Sequence, residues 1–174
     1  CLFNELQNFV EIEKAWKHIA WDNEARKKHK PPFYATGWLR WRTWRSKAAG
    51  LDHLIWEASL VHGDDWVEPE NPLYGQPTPQ AIAAKEIMEL YQWWTEVYPN
   101  RPDPYDVSKW SEICDRRRAN TSEENFWWMD DQTDEERDES KKSLDIMRDI
   151  EERYRQEDTE MLIRLINLRD SLWT

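Results

Sequence analysis

Apolar residues recur every three or four positions along most of this chain, which is the spacing of amphipathic helices. Residues 2–27, 46–62 and 78–98 form three such segments, and residues 107–118 form a shorter one. The last segment extends from residue 133 towards residue 172 and keeps an approximate heptad of apolar positions, which is typical of a helix that packs along its length. The pattern predicts an all-α fold, a compact helical bundle with a long C-terminal helix.

Turn and capping residues predict where these helices begin and end. Lys30 precedes two prolines, and the residue before a proline is disfavoured in a helix, so the first helix is expected to end there. Thr78 followed by proline predicts the start of the third helix, and Thr133 begins a capping box for the last one. Gly63 is expected to end the second helix, and residues 156–159 are a candidate break in the last.

The segments group into two predicted domains. Residues 1–132 are expected to form a Trp-rich helical core, which includes a short helix or turn at 36–45 and loops at 64–77 and 119–132. Residues 133–174 are expected to form the long helix, which either packs on this core or mediates dimerisation through its apolar seam.

Composition narrows the class of protein. The chain has 174 residues, a formal net charge of -11, 13 Trp and only 4 Gly. This acidity disfavours nucleic-acid binding, which depends on cationic side chains at phosphates, and the aromatic content argues against a disordered chain. The 2 cysteines do not make a disulfide framework, and no apolar run approaches the roughly 18 residues of a membrane span. We therefore expect a cytoplasmic protein.

The charge is distributed unevenly along the chain. Residues 26–47 contain eight Lys and Arg, five Phe, Tyr and Trp, and no Asp or Glu. Arg beside Trp favours a site in which guanidinium groups bind an anion while an indole stacks on a ring. The candidate ligand- or anion-binding residues are Trp38, Arg40, Trp41, Arg42 and Arg45. The alternative is structural, because an acidic chain needs an internal counter-charge: the segment would pair with acids of the long helix, namely Glu151, Glu152, Glu157 and Glu160.

A second candidate is a transition-metal site. His53 and Glu57 are four residues apart on the second predicted helix, and Glu13 lies at the centre of the apolar stripe of the first. One His and two carboxylates would suit iron, manganese or zinc. The alternative is a buried hydrogen bond between His53 and Glu57, with Glu13 paired to Arg42 or Arg45, since a buried carboxylate needs a partner.

A third pattern consists of paired acids on two predicted helices. Glu86 and Glu89 are followed, after 22 residues, by Glu112 and Asp115 with the same spacing. The pattern resembles that of the all-α, MazG-like nucleoside triphosphate pyrophosphohydrolases. The resemblance implies that the four acids hold Mg²⁺ against a triphosphate. The alternative is a solvated acidic flank.

Several short stretches resemble uncharacterised helical proteins of tailed bacteriophages. The stretches are Glu13-Lys-Ala-Trp16 followed by His18, Arg40-Trp-Arg42 followed by Gly50-Leu-Asp-His-Leu54 and Trp56-Glu57, Arg101-Pro-Asp-Pro104, and the Leu-Trp-Thr ending. The resemblance otherwise extends as far as about Arg118. It implies a bacteriophage protein that works in the host cytoplasm, and it implies no activity.

The sequence thus predicts a non-catalytic accessory protein that binds another macromolecule, with a protein such as a host factor as its partner. A Mg²⁺-dependent pyrophosphohydrolase is the first alternative, and a metal-binding helical bundle is the second. An exposed seam on the last helix predicts a homodimer.

Overall fold

The computed structural model of the protein describes residues 1–21, 23–44, 46–63, 67–120 and 133–172. Within these ranges the chain is all-α, as the apolar spacing predicts, and its β pairing consists of one isolated bridge. None of the helices described there is long and apolar enough to cross a bilayer. The α-helices are α1 (Leu2–Asn8), α2 (Lys14–Trp21), α3 (Asn23–Lys28), α4 (Gly37–Trp44), α5 (Lys47–Ala58), α6 (Pro79–Gln92), α7 (Pro104–Val107), α8 (Trp110–Asn120), α9 (Asp134–Asn167) and α10 (Arg169–Leu172).

Contacts between residues divide the chain into two units. Cys1–Pro99 and Ile163–Thr174 form unit 1, and Asn100–Leu162 forms unit 2. The sequence pattern predicts a boundary at residue 132 instead. The two divisions differ because the long helix α9 contributes residues to both units.

The core of unit 1 forms where α5 packs against α2 and α6. The largest fully buried side chains are Leu6, Val10, Leu54, Ile87 and Leu90. Gly50 of α5 lies against the backbone of the N-terminal helix, where an added Cβ would be 2.0 Å from the carbonyl oxygen of Val10. This close approach requires glycine at position 50.

A π-helical turn, Phe9–Glu13, separates α1 from α2 and changes which residues face the core. The N–H of Lys14 donates to the carbonyl of Phe9, five residues earlier. Phe9 and Val10 are therefore followed on the buried face by Lys14 and Ala15, whereas Glu13 is exposed. The expectation that Glu13 lies at the centre of the apolar stripe is wrong, because that stripe assumes a regular period of 3.6 residues.

The predicted helix starts at Thr78 and Thr133 are confirmed. The Thr78 hydroxyl accepts the N–H of Ala81 at 3.1 Å. The N–H of Thr133 donates to the Glu136 carboxylate at 3.0 Å, and the N–H of Glu136 donates to the Thr133 hydroxyl at 3.3 Å. These two reciprocal bonds form the predicted capping box.

The end of α5 differs from the prediction. The helix ends at Ala58, before the expected Gly63, and the Ser59 hydroxyl donates to the carbonyl three residues earlier at 2.6 Å. The N–H of His62 then donates to the carbonyl of Gln76 at 2.9 Å. The chain leaves the helix early because the backbone beyond Ser59 bonds to the loop that precedes α6.

An aromatic cluster joins α1 to the end of α6. α6 ends in a second π-helical turn, Trp93–Val97, followed by a 3-10 turn at Tyr98–Asn100. Phe3 lies 5.1 Å from Trp93 and 5.0 Å from Trp94, measured between ring centroids. The widened turn places Trp93 in the core and leaves Val97 exposed, although the helical period predicts a buried Val97.

In unit 2, the proline-rich turn before α7 contacts α9. The Arg101 guanidinium donates to Asp158 at 2.6 Å and lies 4.8 Å from the centre of the Tyr154 ring. The Tyr154 hydroxyl donates to the carbonyl of Pro102 at 3.0 Å. α9 is continuous through residues 156–159, where a break was a candidate, and Asp158 is one of the residues that hold the turn.

The predicted heptad seam, which runs along α9 and past its end, is buried in part within the chain itself. Ile150 lies on the α9 segment of unit 2, Leu165 and Leu168 lie within unit 1, and all three are buried. Phe126, Trp127 and Trp128, which belong to the loop predicted at 119–132 and were expected to pack onto the core, lie outside the described residues.

Candidate functional site

Unit 1 exposes a set of large apolar side chains between α3 and the middle of α4, here called the aromatic surface. Phe33 is 99% exposed, Trp38 is 68% exposed and Tyr34 is 67% exposed. Trp38 stacks on Trp41, with ring centroids 4.9 Å apart and an interplanar angle of 21°. The aromatic surface consists of Phe33, Tyr34, Trp38, Leu39 and Trp41.

The local sequence explains why these rings face outward. Pro31 and Ala35 are buried and hold the chain on either side of Phe33 and Tyr34. The N–H of Ala35 donates to the carbonyl of Pro32 at 2.9 Å, which closes a turn with the two rings at its tip. The turn between these buried residues carries both rings away from the core.

Cationic residues flank the aromatic surface along the sequence. Lys27, Lys30 and Arg40 are exposed. The other two candidate anion-binding residues are Arg42 and Arg45. The backbone of Arg42 belongs to α4, but the Arg42 side chain lies outside the described part of the structure. The whole of Arg45 also lies outside it. The described part therefore brings Trp38, Arg40 and Trp41 of the candidate set onto one short helix.

Lys28 and His29 fasten the end of α3 to α5. Their nitrogens lie 2.5 Å and 2.7 Å from the Asp52 carboxylate. Burial raises the pKa of Asp52, but the hydrogen bonds from Lys28 and His29 lower it more, so the pKa lies below its usual range. This contact fixes the base of the turn that carries the aromatic surface.

The described ion pairs of the basic residues at 26–47 are formed with acids of unit 1. Lys47 lies 3.8 Å from Glu11 of the first π turn, in addition to the contact of Lys28 with α5. Two acids of the long helix that were expected to serve this purpose have other partners within unit 2: Glu157 pairs with Arg101 at 3.0 Å, and Glu152 pairs with Arg155. The remaining two acids, Glu151 and Glu160, are both exposed.

The second candidate site is a buried polar cluster in unit 1. The Lys14 ammonium donates to both oxygens of Glu57, at 2.8 Å and 2.6 Å. Glu57 also accepts a hydrogen bond from Gln80 at 2.8 Å and lies 3.3 Å from His53 Nε2. The predicted contact between His53 and Glu57 is present, and the exposed Glu13 lies away from the buried face that carries it.

The environment of this cluster keeps Glu57 ionised. Burial raises the pKa of Glu57, but hydrogen bonds from His53 and Lys14 and the positive charge of Lys14 lower it to about 2. Burial lowers the pKa of Lys14, and the contact with Glu57 opposes that effect. Glu57 remains ionised because its carboxylate has three hydrogen-bonding partners, Lys14, Gln80 and His53.

Sequence analysis missed Lys14 and Gln80 as members of this cluster. Lys14 lies in the quoted stretch Glu13-Lys-Ala-Trp16, but a regular helical period directs Glu13 inward in its place. Gln80 lies in the first turn of α6, where no local pattern indicates a partner on α5. Across the described residues, no group of three or more His, Cys, Asp or Glu is arranged to hold a metal ion.

The four acids of the pyrophosphohydrolase pattern are divided between the units. Glu86 and Glu89 lie on α6 in unit 1, and both bind Arg164, at 2.5 Å and 2.6 Å. The hydrogen bond from Arg164 is the main cause of the lowered pKa of Glu86. Glu112 and Asp115 lie on α8 in unit 2 and are exposed.

The arginine changes what Glu86 and Glu89 can do chemically. Mg²⁺ prefers carboxylates whose charge is available to it, and Arg164 already neutralises this pair. A metal ion would have to compete with the guanidinium there. The pyrophosphohydrolase stays a prediction from sequence.

Comparisons of this chain with protein-family models, with curated proteins and with solved structures find no match. The structure itself defines the class: an all-α protein whose unit 1 presents an aromatic surface flanked by cations.

Proposed function

We propose that this chain is a non-catalytic bacteriophage accessory protein that binds another protein in the host cytoplasm, with the aromatic surface as its docking site. The observation that carries the proposal is the exposure of five large apolar side chains within the nine residues from Phe33 to Trp41. The stretches that resemble bacteriophage proteins support the proposed origin.

Exposing several large apolar side chains to water is unfavourable. A binding role explains why these side chains are not buried. Single exposed apolar side chains are ordinary, but several together usually mark an interaction site. Trp, Tyr and Arg are also the residues most often found at the energetic centre of protein interfaces. The aromatic surface supplies Trp38, Trp41 and Tyr34, with Arg40 on the same short helix.

The charge around the aromatic surface specifies the chemistry of the partner. Residues 26–47 contain no acid, although the chain has 35 Asp and Glu. A partner that offers an apolar cleft rimmed by Asp and Glu would be complementary to this segment. The remaining acidic surface would repel the same partner, so binding is directed to one face.

Site-specific photo-cross-linking tests the proposal. A benzophenone amino acid replaces Tyr34, which is 67% exposed on the aromatic surface. The matched control carries the same group in place of Tyr105, which is 47% exposed in unit 2. Both proteins are irradiated in host lysate, and the cross-linked peptides are sequenced by mass spectrometry.

We expect the probe at position 34 to capture one protein at a peptide rich in Asp and Glu, and the probe at position 105 not to capture it. Trp38→Ala should reduce that capture at least about tenfold, as truncation of a central aromatic residue does. Capture of nucleic acid, or equal capture from both positions, would contradict the proposal.

A further inference from the structure

Unit 2 contains a pocket whose lining residues belong to a different part of the sequence from the aromatic surface. Most of its charged lining residues are cationic. It lies between α8 and the first half of α9 and has a volume of about 330 Å³, which is within the usual range for small-ligand sites. Four of its lining residues are cationic and one is acidic. The lining residues are Trp110, Arg117, Arg137, Ser140, Lys141, Leu144, Asp145 and Arg148.

Arg117 is held in place before any ligand arrives. Its guanidinium lies 5.7 Å from the centre of the Trp110 ring and donates to the hydroxyl of Ser140, which is itself buried. A guanidinium fixed by an aromatic face and a hydrogen bond loses little side-chain freedom when it binds an anion. Arg117 is therefore a preorganised donor at the wall of the pocket.

The other cations of the pocket are only weakly neutralised. Arg148 lies 3.7 Å from Asp145, and Arg137 lies 3.5 Å from Asp134, which is outside the lining. Both pairs are exposed, and such pairs contribute little energy. Within the described residues, Lys141 has no ion-pair partner.

We infer that this pocket binds a small phosphorylated molecule. A phosphate group carries up to two negative charges and three acceptor oxygens, which suits several converging cations better than a single carboxylate does. Leu144 and Trp110 also line the pocket and suit an organic group attached to the phosphate. This inference does not depend on the proposed function of unit 1.

Isothermal titration calorimetry at low salt tests the inference. The probes are pyrophosphate, adenosine 5′-monophosphate and uncharged adenosine. We expect the two phosphate compounds to bind with dissociation constants below about 1 mM and adenosine to show no binding. Absence of heat from both phosphate compounds, or binding of adenosine with the same affinity as its monophosphate, would overturn the inference.

Charge-neutralising variants locate the site. Lys141→Gln combined with Arg148→Gln changes two exposed side chains in the pocket, so folding should be retained. The matched control combines Lys142→Gln with Arg153→Gln, which are exposed on the same helix and do not line the pocket. The pocket variant should bind at least about tenfold more weakly, and the control should bind within about twofold of wild type. An equal loss in both variants would show diffuse charge attraction and overturn the inference.

Discussion

The side chains of Lys14 and Glu57 form a buried pair whose partners come from different helices. Removing one partner of such a pair leaves an uncompensated charge in the core, which typically costs about 3–5 kcal/mol. Sequence patterns predict a buried contact between Glu57 and His53, but they do not identify Lys14 as the second partner. The partner depends on the π turn, an extra residue in the helix that no local residue pattern marks.

Acid sensitivity tests this pair. The pKa of Glu57 is lowered from 4.5 to about 2 in the folded protein, so the ionised carboxylate stabilises the fold above pH 4.5 and this stabilisation is lost as the pH falls towards 2. The difference in free energy of unfolding between wild type and Glu57→Gln should narrow by on the order of 3 kcal/mol over that range. Urea unfolding across the range measures it. Glu13→Gln, which changes an exposed acid, should show no comparable narrowing, and a constant difference for Glu57→Gln would contradict the assignment.

Gly50 gives a prediction about packing. Gly50→Ala would place a Cβ 2.0 Å from the backbone oxygen of Val10, so α5 would have to move away from the N-terminal helix. We expect a loss of roughly 3 kcal/mol or more in the free energy of unfolding. The matched control is Gly63→Ala, where an added Cβ meets no atom within 4 Å among the described residues other than its chain neighbours. Equal stability of the two variants would show that this close approach is absent.

At the scale of elements, the residues at which helices begin were predictable from sequence. Which side of each helix is buried was less predictable. Thr78 and Thr133 cap their helices through bonds to residues three positions away, so the information is local. The end of α5 depends on a backbone bond between His62 and Gln76, fourteen positions later, which no local pattern contains. The two π turns rotate the buried face by one residue and account for the exposure of Glu13 and Val97.

The contact between the proline-rich turn and α9 gives a prediction for an element. Arg101 is bound by Asp158 at 2.6 Å and Glu157 at 3.0 Å, so Arg101→Met should loosen α9 locally. Hydrogen–deuterium exchange should become at least about tenfold faster around residues 154–158, which corresponds to about 1.4 kcal/mol of lost local protection. Arg153→Met changes an exposed arginine on the same helix and should leave exchange there unchanged. Unchanged exchange in the Arg101 variant would mean that the turn does not hold the helix.

At the scale of the whole molecule, apolar spacing together with composition predicted the fold class but not the chemistry. Few glycines and helical spacing were sufficient for an all-α fold. The acid-rich sequence contained a pattern typical of a Mg²⁺ site, but acids are so frequent in it that such a pattern can arise without a site. In the structure, Glu86 and Glu89 form ion pairs with Arg164. The basic, aromatic segment at residues 26–47 was the more informative feature, because it departs from the composition of the rest of the chain.

The central claim is that the aromatic surface serves a partner rather than the fold, and the stability of a variant that lacks it tests this claim most directly. Phe33→Ala combined with Trp38→Ala removes two side chains that are 99% and 68% exposed. Equilibrium urea unfolding should give a free energy of unfolding within about 1 kcal/mol of wild type, since the ring contacts described for these two residues, Trp38 with Trp41 and Phe33 with Tyr34, join exposed side chains. A loss of about 3 kcal/mol or more, as when buried aromatic residues are truncated, would show that these rings support the core and would contradict the account.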